Sequence, residues 1–160
     1  MIKIIWHRVA MFWAVCILVV VGSSVMLAKS AHAYEDAHSL PIPVLTLLAE
    51  AGGEGMEGMI AVANVIRNRS VKRGLTVEEV CLQRLQFSCW NDKGVTVYRY
   101  AARNRVVWQD ALTAWQVSGT EDITGGADLY HPDYVKPNWN WSKTVKTVEV
   151  GKHIFYREVR

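Results

Sequence analysis

The amino-acid sequence predicts a mainly α (α+β) domain with a small β element. Apolar residues recur at helical spacing in several segments between residues 41 and 117. Turn-forming residues then concentrate after residue 117. From Val145 to Val159 apolar residues alternate loosely around Gly151, which indicates a short strand or hairpin near the end of the chain.

The first two helices are predicted on either side of a glycine pair. A helix is expected to begin near Pro41 to Pro43, because proline is tolerated in a first turn, and to end near Ala51 at Gly52-Gly53. A second helix is expected from Gly55 to Arg69. Its apolar face repeats at helical spacing through Met59, Val62, Ala63 and Ile66.

Two more helices are predicted further along the chain. Thr76 and Glu79 have the spacing of a capping box, so a short third helix should follow Thr76. A fourth helix is expected from about Ala101 to Val117. The remaining segments are rich in polar residues, glycine or proline and are expected to be linkers or loops: Tyr34–Ser39, Gln86–Lys93, Ser118–Gly126 and Tyr130–Trp141.

The first 33 residues have the composition of an export segment. Lys3 and Arg8 precede an uncharged run of 20 residues from Val9 to Ala28, and Ala31-His32-Ala33 follows. This is either a signal peptide cleaved after Ala33 or an uncleaved signal-anchor helix, because the run is long enough to span a bilayer. We therefore expect residues 34–160 to form one domain, exported to the periplasm or tethered to the inner membrane through residues 9–28.

The charge balance argues against a nucleic-acid partner. The formal charge is +3, and three basic residues lie in the first 33 positions without an acid. The remainder has equal numbers of basic and acidic residues, whereas nucleic-acid binding requires a basic face. A local basic cluster is interpreted as a solvated helix C-terminus: Arg67, Arg69, Lys72 and Arg73.

The cysteines and histidines define no metal or cofactor site. Cys81 and Cys89 can pair in an oxidising compartment or can be two small buried residues, and both interpretations stay open. If the N-terminal segment is released intact, Cys16 can exchange with one of them. The histidines after residue 33 are too scattered for a zinc peptidase motif, no cysteine-peptidase signature is present, and no metal or cofactor is expected.

Glu50 is the candidate acid. It follows an apolar helical turn and precedes a glycine corner. If such a carboxyl faces a cleft, desolvation disfavours its ionised form and raises its pKa, as a general acid at neutral pH requires. Protonation of a glycosidic oxygen is a reaction of this kind. On the local pattern alone, a solvated glutamate at a helix end is the alternative.

Four segments, taken in chain order, carry a resemblance to a known family. The first is Glu50-Ala51-Gly52-Gly53-Glu54, followed by a helical stretch that ends in Asn68-Arg69. The others are Gln86-Phe87-Ser88-Cys89-Trp90, Gly125-Gly126-Ala127-Asp128-Leu129-Tyr130-His131 and Val150-Gly151-Lys152-His153-Ile154-Phe155-Tyr156-Arg157. Over nearly all of residues 44–157 the chain thus resembles the spore-cortex-lytic, SleB-like family of cell wall hydrolases.

This resemblance implies a lysozyme-like, lytic transglycosylase-type fold in which Glu50 is the catalytic acid. It also implies peptidoglycan as the partner, and we expect the domain to act as a monomer. The expected substrate-binding residues are Glu54, Gln86, Ser88, Trp90, Tyr130 and His131. Gly52 departs from the family pattern, which usually has an arginine at this position, so any contact made by that arginine is in doubt here.

The reaction and its biological setting have alternatives. Glu54 is either a second carboxylate, as simple hydrolysis requires, or a residue that caps the following helix. The products can therefore be those of a lytic transglycosylase, a muramidase or a glucosaminidase, serving host lysis as a phage endolysin or wall remodelling. Other classes are a non-catalytic wall-binding or membrane-anchored structural protein and a peptidoglycan amidase or peptidase.

Overall fold

The computed structural model describes residues 23–159, and the predicted export segment lies largely outside this range. The helices are α1 (described from residue 23 and ending at residue 38), α2 (Ile42–Ala51), α3 (Gly55–Arg73), α4 (Val77–Leu82), α5 (Val95–Arg103) and α6 (Trp108–Val117). The strands are β1 (Leu129–Pro132), β2 (Thr144–Val150) and β3 (His153–Glu158). Short 3-10 turns occur at Ser88–Trp90, Arg105–Val107 and Trp141–Lys143.

Helix α2 lies at the centre of the helical part and packs against α3, α4, α5 and α6. Its residues from Pro43 to Leu48 are all buried. Before Glu50 the surface of α2 is apolar on almost every side. Such a helix has to be covered by neighbours on every side, which explains its central position. The predicted helix from Pro41–Pro43 to Ala51 is confirmed.

Helix α3 separates two apolar clusters. Met59, Val62 and Ile66 pack into the larger cluster with α2 and the other helices. Ala61 and Val65 face the sheet and pack into a smaller cluster that also contains Ala127, Val150 and Phe155. The prediction of this helix is confirmed, and it continues one turn further, to Arg73, before Gly74 caps it in the left-handed conformation.

The three strands form an antiparallel sheet in the order β1-β3-β2. β2 and β3 are joined by a tight turn at Gly151, where φ is +56°. β1 pairs with β3, so that Tyr130 lies opposite Phe155 and His131 lies opposite Ile154. The predicted hairpin and the mainly helical fold class with a small β element are confirmed.

Two predicted boundaries were wrong. The single helix expected from Ala101 to Val117 is two helices, because the side-chain amide of Asn104 donates to the carbonyl oxygen of Tyr100 at 2.7 Å and the chain turns there. The segment from Tyr130, expected to be irregular, begins within β1. Its strand conformation depends on pairing with β3, which is distant in sequence.

The segment expected to be a linker, Tyr34–Ser39, is helical through residue 38. The His38 ring stacks on Tyr98 of α5 with the ring centroids 3.8 Å apart, and Ala37 is fully buried. The expected domain boundary after residue 33 therefore falls inside α1. Within residues 23–159, no helix is long and apolar enough to cross a membrane.

The basic cluster at the end of α3 is not simply a solvated helix end. Arg67 donates to the carbonyl oxygen of Trp115 at 2.9 Å and lies over its ring. Arg69 is buried. The interpretation is therefore wrong for these two arginines, because their guanidinium groups pack against other elements of the fold.

Cys81 and Cys89 are both buried free thiols. This supports the interpretation of the pair as two small buried residues and not as a disulfide.

Candidate active site

Helix α2 places Glu50 at the edge of the apolar core. Glu50 is the last residue but one of a helix whose preceding two turns are buried. The glycine pair that follows turns the chain toward α3. The carboxyl group is therefore partly removed from water, while the end of the helix leaves it open on one side.

Two other elements contact the Glu50 carboxyl. The hydroxyl of Tyr130, on β1, donates to its Oε2 at 3.3 Å. The Glu50 carboxyl also forms hydrogen bonds with the thiol of Cys89 and with the backbone of Ser88 and Cys89, in the short turn before α5. Burial raises the pKa of Glu50 above its usual value, and these hydrogen bonds lower it by less. The net upward shift extends to higher pH the range in which the protonated form, which can donate a proton, persists.

Tyr130 is held as a neutral donor. Its side chain stacks on Phe155, with 5.6 Å between the ring centroids, and meets His153 edge to face. Burial raises the pKa of Tyr130 well above its usual value, and the neighbouring Glu50 adds to this shift. The phenol therefore remains protonated at physiological pH and can supply a hydrogen bond to the carboxyl.

The polar residues of α3 hold the chain that leads into β1. The buried amide of Asn64 donates to the carbonyl oxygen of Glu121 at 2.7 Å and accepts from the amide of Ile123 at 3.1 Å. Arg69 donates to the carbonyl oxygen of Asp128 at 2.7 Å. These bonds fix the loop between α6 and β1 and so determine where Tyr130 lies. No role of Asn64 was predicted, and Arg69 was interpreted as part of a solvated helix end, although buried polar groups within an apolar helix face were the available signal.

A cavity of about 400 Å³ is lined by residues next to Glu50, although the Glu50 side chain is not part of its wall. Its lining includes Ala49, Ser88 and Cys89, of which the last two contact the Glu50 carboxyl. Asn91 and Tyr100 add an amide and a phenol to the wall. The wall of this cavity therefore combines apolar surface with hydrogen-bonding groups.

The three residues predicted from the loop before α5 have different positions. Ser88 is exposed at this cavity. Trp90 packs against the core, and its indole N–H donates to Thr46 Oγ1 at 3.0 Å. Gln86 accepts from the guanidinium of Arg73 at 3.2 Å. The structure therefore brings Ser88 to Glu50, whereas Trp90 stabilises the loop from inside.

Glu54 joins the corner between α2 and α3 to the β2–β3 hairpin. Its Oε2 accepts from the backbone amide of Lys152 at 3.2 Å. It precedes α3 at the capping position but makes no side-chain capping bond. This contact joins the carboxylate to the base of the hairpin, and its predicted part in substrate binding stays a prediction.

Tyr130 and His131 lie on opposite faces of the sheet. Successive side chains of a strand alternate between faces, so only one of the two can point toward Glu50. Tyr130 does so, whereas the His131 ring stacks on Tyr156 and meets Trp139 and Trp141. His131 therefore does not face Glu50, and its predicted part in substrate binding stays a prediction.

Acidic and metal-binding side chains do not gather elsewhere in the described chain. Within residues 23–159, no group of three or more histidine, cysteine, aspartate or glutamate side chains is placed to hold a metal ion. The groups that contact the Glu50 carboxyl include the phenol of Tyr130 and the thiol of Cys89. These groups can transfer a proton and donate hydrogen bonds.

Comparison with known proteins identifies relatives of most of the described chain. Residues 53–156 match the model of a family described as Cell Wall Hydrolase. The chain is 33% identical over 109 residues to a spore cortex-lytic enzyme of Oceanobacillus iheyensis, which covers 66% of the chain and 37% of that relative. A spore cortex-lytic enzyme of Halalkalibacterium halodurans is 32% identical over 125 residues, covering 76% of the chain and 35% of that relative. The chain thus spans little more than a third of the length of these relatives.

A solved structure has the same fold. The catalytic domain of the germination-specific lytic transglycosylase SleB from Bacillus anthracis superposes with a TM-score of 0.55 and 29% identity. The match covers 72% of this chain and 91% of that one. The lysozyme-like fold class expected from the sequence is confirmed by this likeness and by the observed arrangement of helices and sheet.

Proposed function

The chain belongs to the cell wall hydrolase family, and we propose that it cleaves the glycan strands of peptidoglycan with Glu50 as the proton donor. The observation that carries the proposal is the partly buried Glu50 carboxyl, whose pKa is raised by burial and which receives a hydrogen bond from Tyr130. The names of the relatives, a spore cortex-lytic enzyme and a lytic transglycosylase, support the same substrate class.

In the first step, Glu50 donates its proton to the oxygen of the glycosidic bond. The bond between the anomeric carbon and that oxygen breaks, and its electron pair stays with the leaving sugar as a hydroxyl group. Positive charge develops on the ring that remains. The Glu50 carboxylate formed in this step is stabilised by the hydroxyl of Tyr130 and the thiol of Cys89.

In the second step, we propose that the 6-hydroxyl of the same muramyl ring attacks the anomeric carbon. A carbon–oxygen bond forms, and the hydroxyl proton passes to Glu50, which is thereby restored as an acid. The product is a 1,6-anhydro ring, as in a lytic transglycosylase. This route requires neither a protein nucleophile nor an activated water, which fits the engagement of Glu54 by the Lys152 amide.

Digestion of purified peptidoglycan by the full-length chain tests both steps. We expect Glu50→Gln to reduce the release of soluble fragments at least about a hundredfold, because removal of a general acid typically costs that much. Glu57→Gln is the matched control, since Glu57 is an exposed glutamate in the first turn of α3. Mass spectrometry of the fragments should show anhydromuramic ends.

Full activity of a folded Glu50→Gln chain would refute the role of Glu50. Reducing muramic ends would instead identify a muramidase, and reducing glucosamine ends a glucosaminidase. Either would leave Glu50 as the acid and replace the intramolecular attack by hydrolysis. Failure of both the native chain and the Glu57→Gln control to release any fragment would refute glycan cleavage itself.

Peptidoglycan lies outside the cytoplasmic membrane, so the proposed activity requires export. We propose that residues 1–33 deliver the domain to the periplasm or tether it to the inner membrane, in the service of host lysis or wall remodelling. N-terminal sequencing of the protein recovered from cells distinguishes the two forms. A chain that starts at Tyr34 has lost a signal peptide, whereas a chain that starts at Met1 and sediments with membranes is anchored.

A further inference from the structure

The face of the sheet that points away from Glu50 carries a group of aromatic rings. This outer aromatic cluster consists of His131, Trp139, Trp141 and Tyr156. The His131 ring stacks on Tyr156 with 5.3 Å between centroids, and both tryptophans meet Tyr156 edge to face at 5.6 and 5.5 Å. The rings come from β1, from β3 and from the segment that leads into β2, so three parts of the chain assemble the cluster.

Packing against the sheet explains the position of only some of the rings in the outer aromatic cluster. His131 is 8% exposed and is satisfied by Pro132 and Tyr156, as expected for a packed side chain. Trp141, in contrast, is 43% exposed, and nearby Tyr134 is 80% exposed. The free energy falls when large aromatic rings are removed from water. The exposure of these two rings therefore indicates a surface that another molecule can cover.

The exposed rings border a cavity of about 580 Å³. Trp141, Tyr134 and Tyr156 contribute aromatic surface to its wall. Asp133 and Lys136 add a carboxylate and an ammonium group. The cavity therefore combines flat apolar faces with hydrogen-bonding groups that can accept and donate.

This combination matches the chemistry of an amino sugar. One face of a pyranose ring presents C–H groups that pack on an aromatic ring, while hydroxyl and acetamido groups project from its edge. Asp133 can accept hydrogen bonds from hydroxyl or amide N–H groups, and Lys136 can donate to the acetamido oxygen. A purely apolar partner would leave both charged groups without a counterpart.

We propose that this cavity is a second saccharide-binding site, which holds an N-acetylated glycan strand on the face of the sheet opposite the catalytic carboxyl. The proposal rests on the proposed function for its choice of glycan. A chain held there cannot reach Glu50 through the sheet, because Tyr130 and Phe155 fill the other face. The site therefore keeps the enzyme on its insoluble substrate while the groove beside Glu50 engages a different stretch of glycan.

Titration with the tetramer of N-acetylglucosamine tests the proposal. The full-length chain with Glu50→Gln, in which cleavage of the probe is expected to be strongly reduced, is expected to bind the tetramer at two sites by calorimetry. Addition of Trp141→Ala should weaken one of these sites about tenfold or more, since the stacking surface is lost. The matched control is Val145→Ala, because Val145 is 44% exposed at the edge of the same sheet but pairs with Arg157, outside the cluster.

Retention on purified sacculi provides a second measurement with the same variants. Trp141→Ala should release the chain from sacculi at a lower salt or competitor concentration than Val145→Ala. Circular dichroism checks that each variant folds, and Trp141→Phe, which keeps an aromatic face, should restore most of the binding. Calorimetry measures binding of the tetramer and not its cleavage. Two-site binding can therefore be observed even if the chain does not cleave glycan strands.

Three results would overturn the proposal. Unchanged binding by Trp141→Ala would show that the cavity holds no saccharide. A single site that disappears in this variant would place Trp141 in the groove of Glu50. Binding to sacculi but not to the tetramer would show that the cavity recognises the peptide part of the wall and not the sugar.

Discussion

The hydroxyl of Tyr130 donates a hydrogen bond to Glu50 over 3.3 Å and so joins the sheet to the central helix. The two residues are 80 positions apart in the chain. Glu50 is carried by the most buried helix, and Tyr130 is carried by a strand that is fixed through bonds to α3. Because both supports are packed, the distance between the acid and its hydrogen-bond donor is set by the fold and not by a mobile loop.

Tyr130→Phe should move the pH dependence of cleavage to higher pH. The hydroxyl bond lowers the pKa of Glu50, so its loss allows the pKa to rise further under the influence of burial. The protonated acid then persists to higher pH, and the alkaline limb of kcat/KM moves up. Tyr34→Phe, which removes a phenol from α1, is the control and should leave the limb in place. A shift of the alkaline limb to lower pH would contradict this prediction.

Glu50→Gln should stabilise the domain at alkaline pH. The folded pKa of Glu50 is raised above 4.5, so its contribution to stability is complete below the unfolded pKa and is lost as pH rises through the folded pKa. The amide carries no charge and avoids that loss. The gain in Tm over the native chain should therefore be larger at pH 8 than at pH 4.

Glu57→Gln is again the control for this measurement. Its side chain is exposed, so its Tm difference should change little between the two pH values. If Glu50→Gln showed the larger gain at pH 4, the carboxyl would be stabilised as a carboxylate in the folded chain. The assignment of Glu50 as an acid would then have to be withdrawn.

Gly151→Ala should destabilise the hairpin. Gly151 has φ of +56°, and an added Cβ would lie 2.6 Å from the Oε2 atom of Glu54. The left-handed conformation costs a residue with a side chain about 1–2 kcal/mol, so urea unfolding should show a loss of this size. Gly53→Ala is the comparison, because a Cβ there meets nothing within 4 Å. Equal losses in the two variants would contradict the contact with Glu54.

Cys81 and Cys89 should resist alkylation in the folded chain. Burial raises the pKa of Cys81 to about 11, and burial also raises that of Cys89, so both are thiols at pH 8. Iodoacetamide at pH 8 should therefore modify them only after unfolding in guanidinium. Peptide mass spectrometry locates the modified residues. A disulfide-linked peptide recovered from the native chain would contradict the observed free thiols.

Much of the helical part could be predicted from short stretches of sequence. The proline start and glycine end of α2, the apolar period of α3 and the capping box at Thr76 are all local signals, and each helix begins or ends close to its predicted residue. The Gly151 turn also depends on its own backbone conformation. Interactions between residues three or four apart determine such features, so the sequence alone is sufficient to predict them.

The sequence alone also predicted Glu50 as a candidate acid, from the apolar helix that leads to a glycine corner and from the family resemblance, although the local pattern left a solvated glutamate as the alternative. Only the tertiary structure decided that Tyr130 faces this acid while His131 faces away, that Trp90 points inward to Thr46, and that Arg69 is buried. The orientation of these side chains depends on which strand pairs with β1 and on which helices the loops pack against. Such pairings join residues tens of positions apart, and no local pattern encodes their geometry.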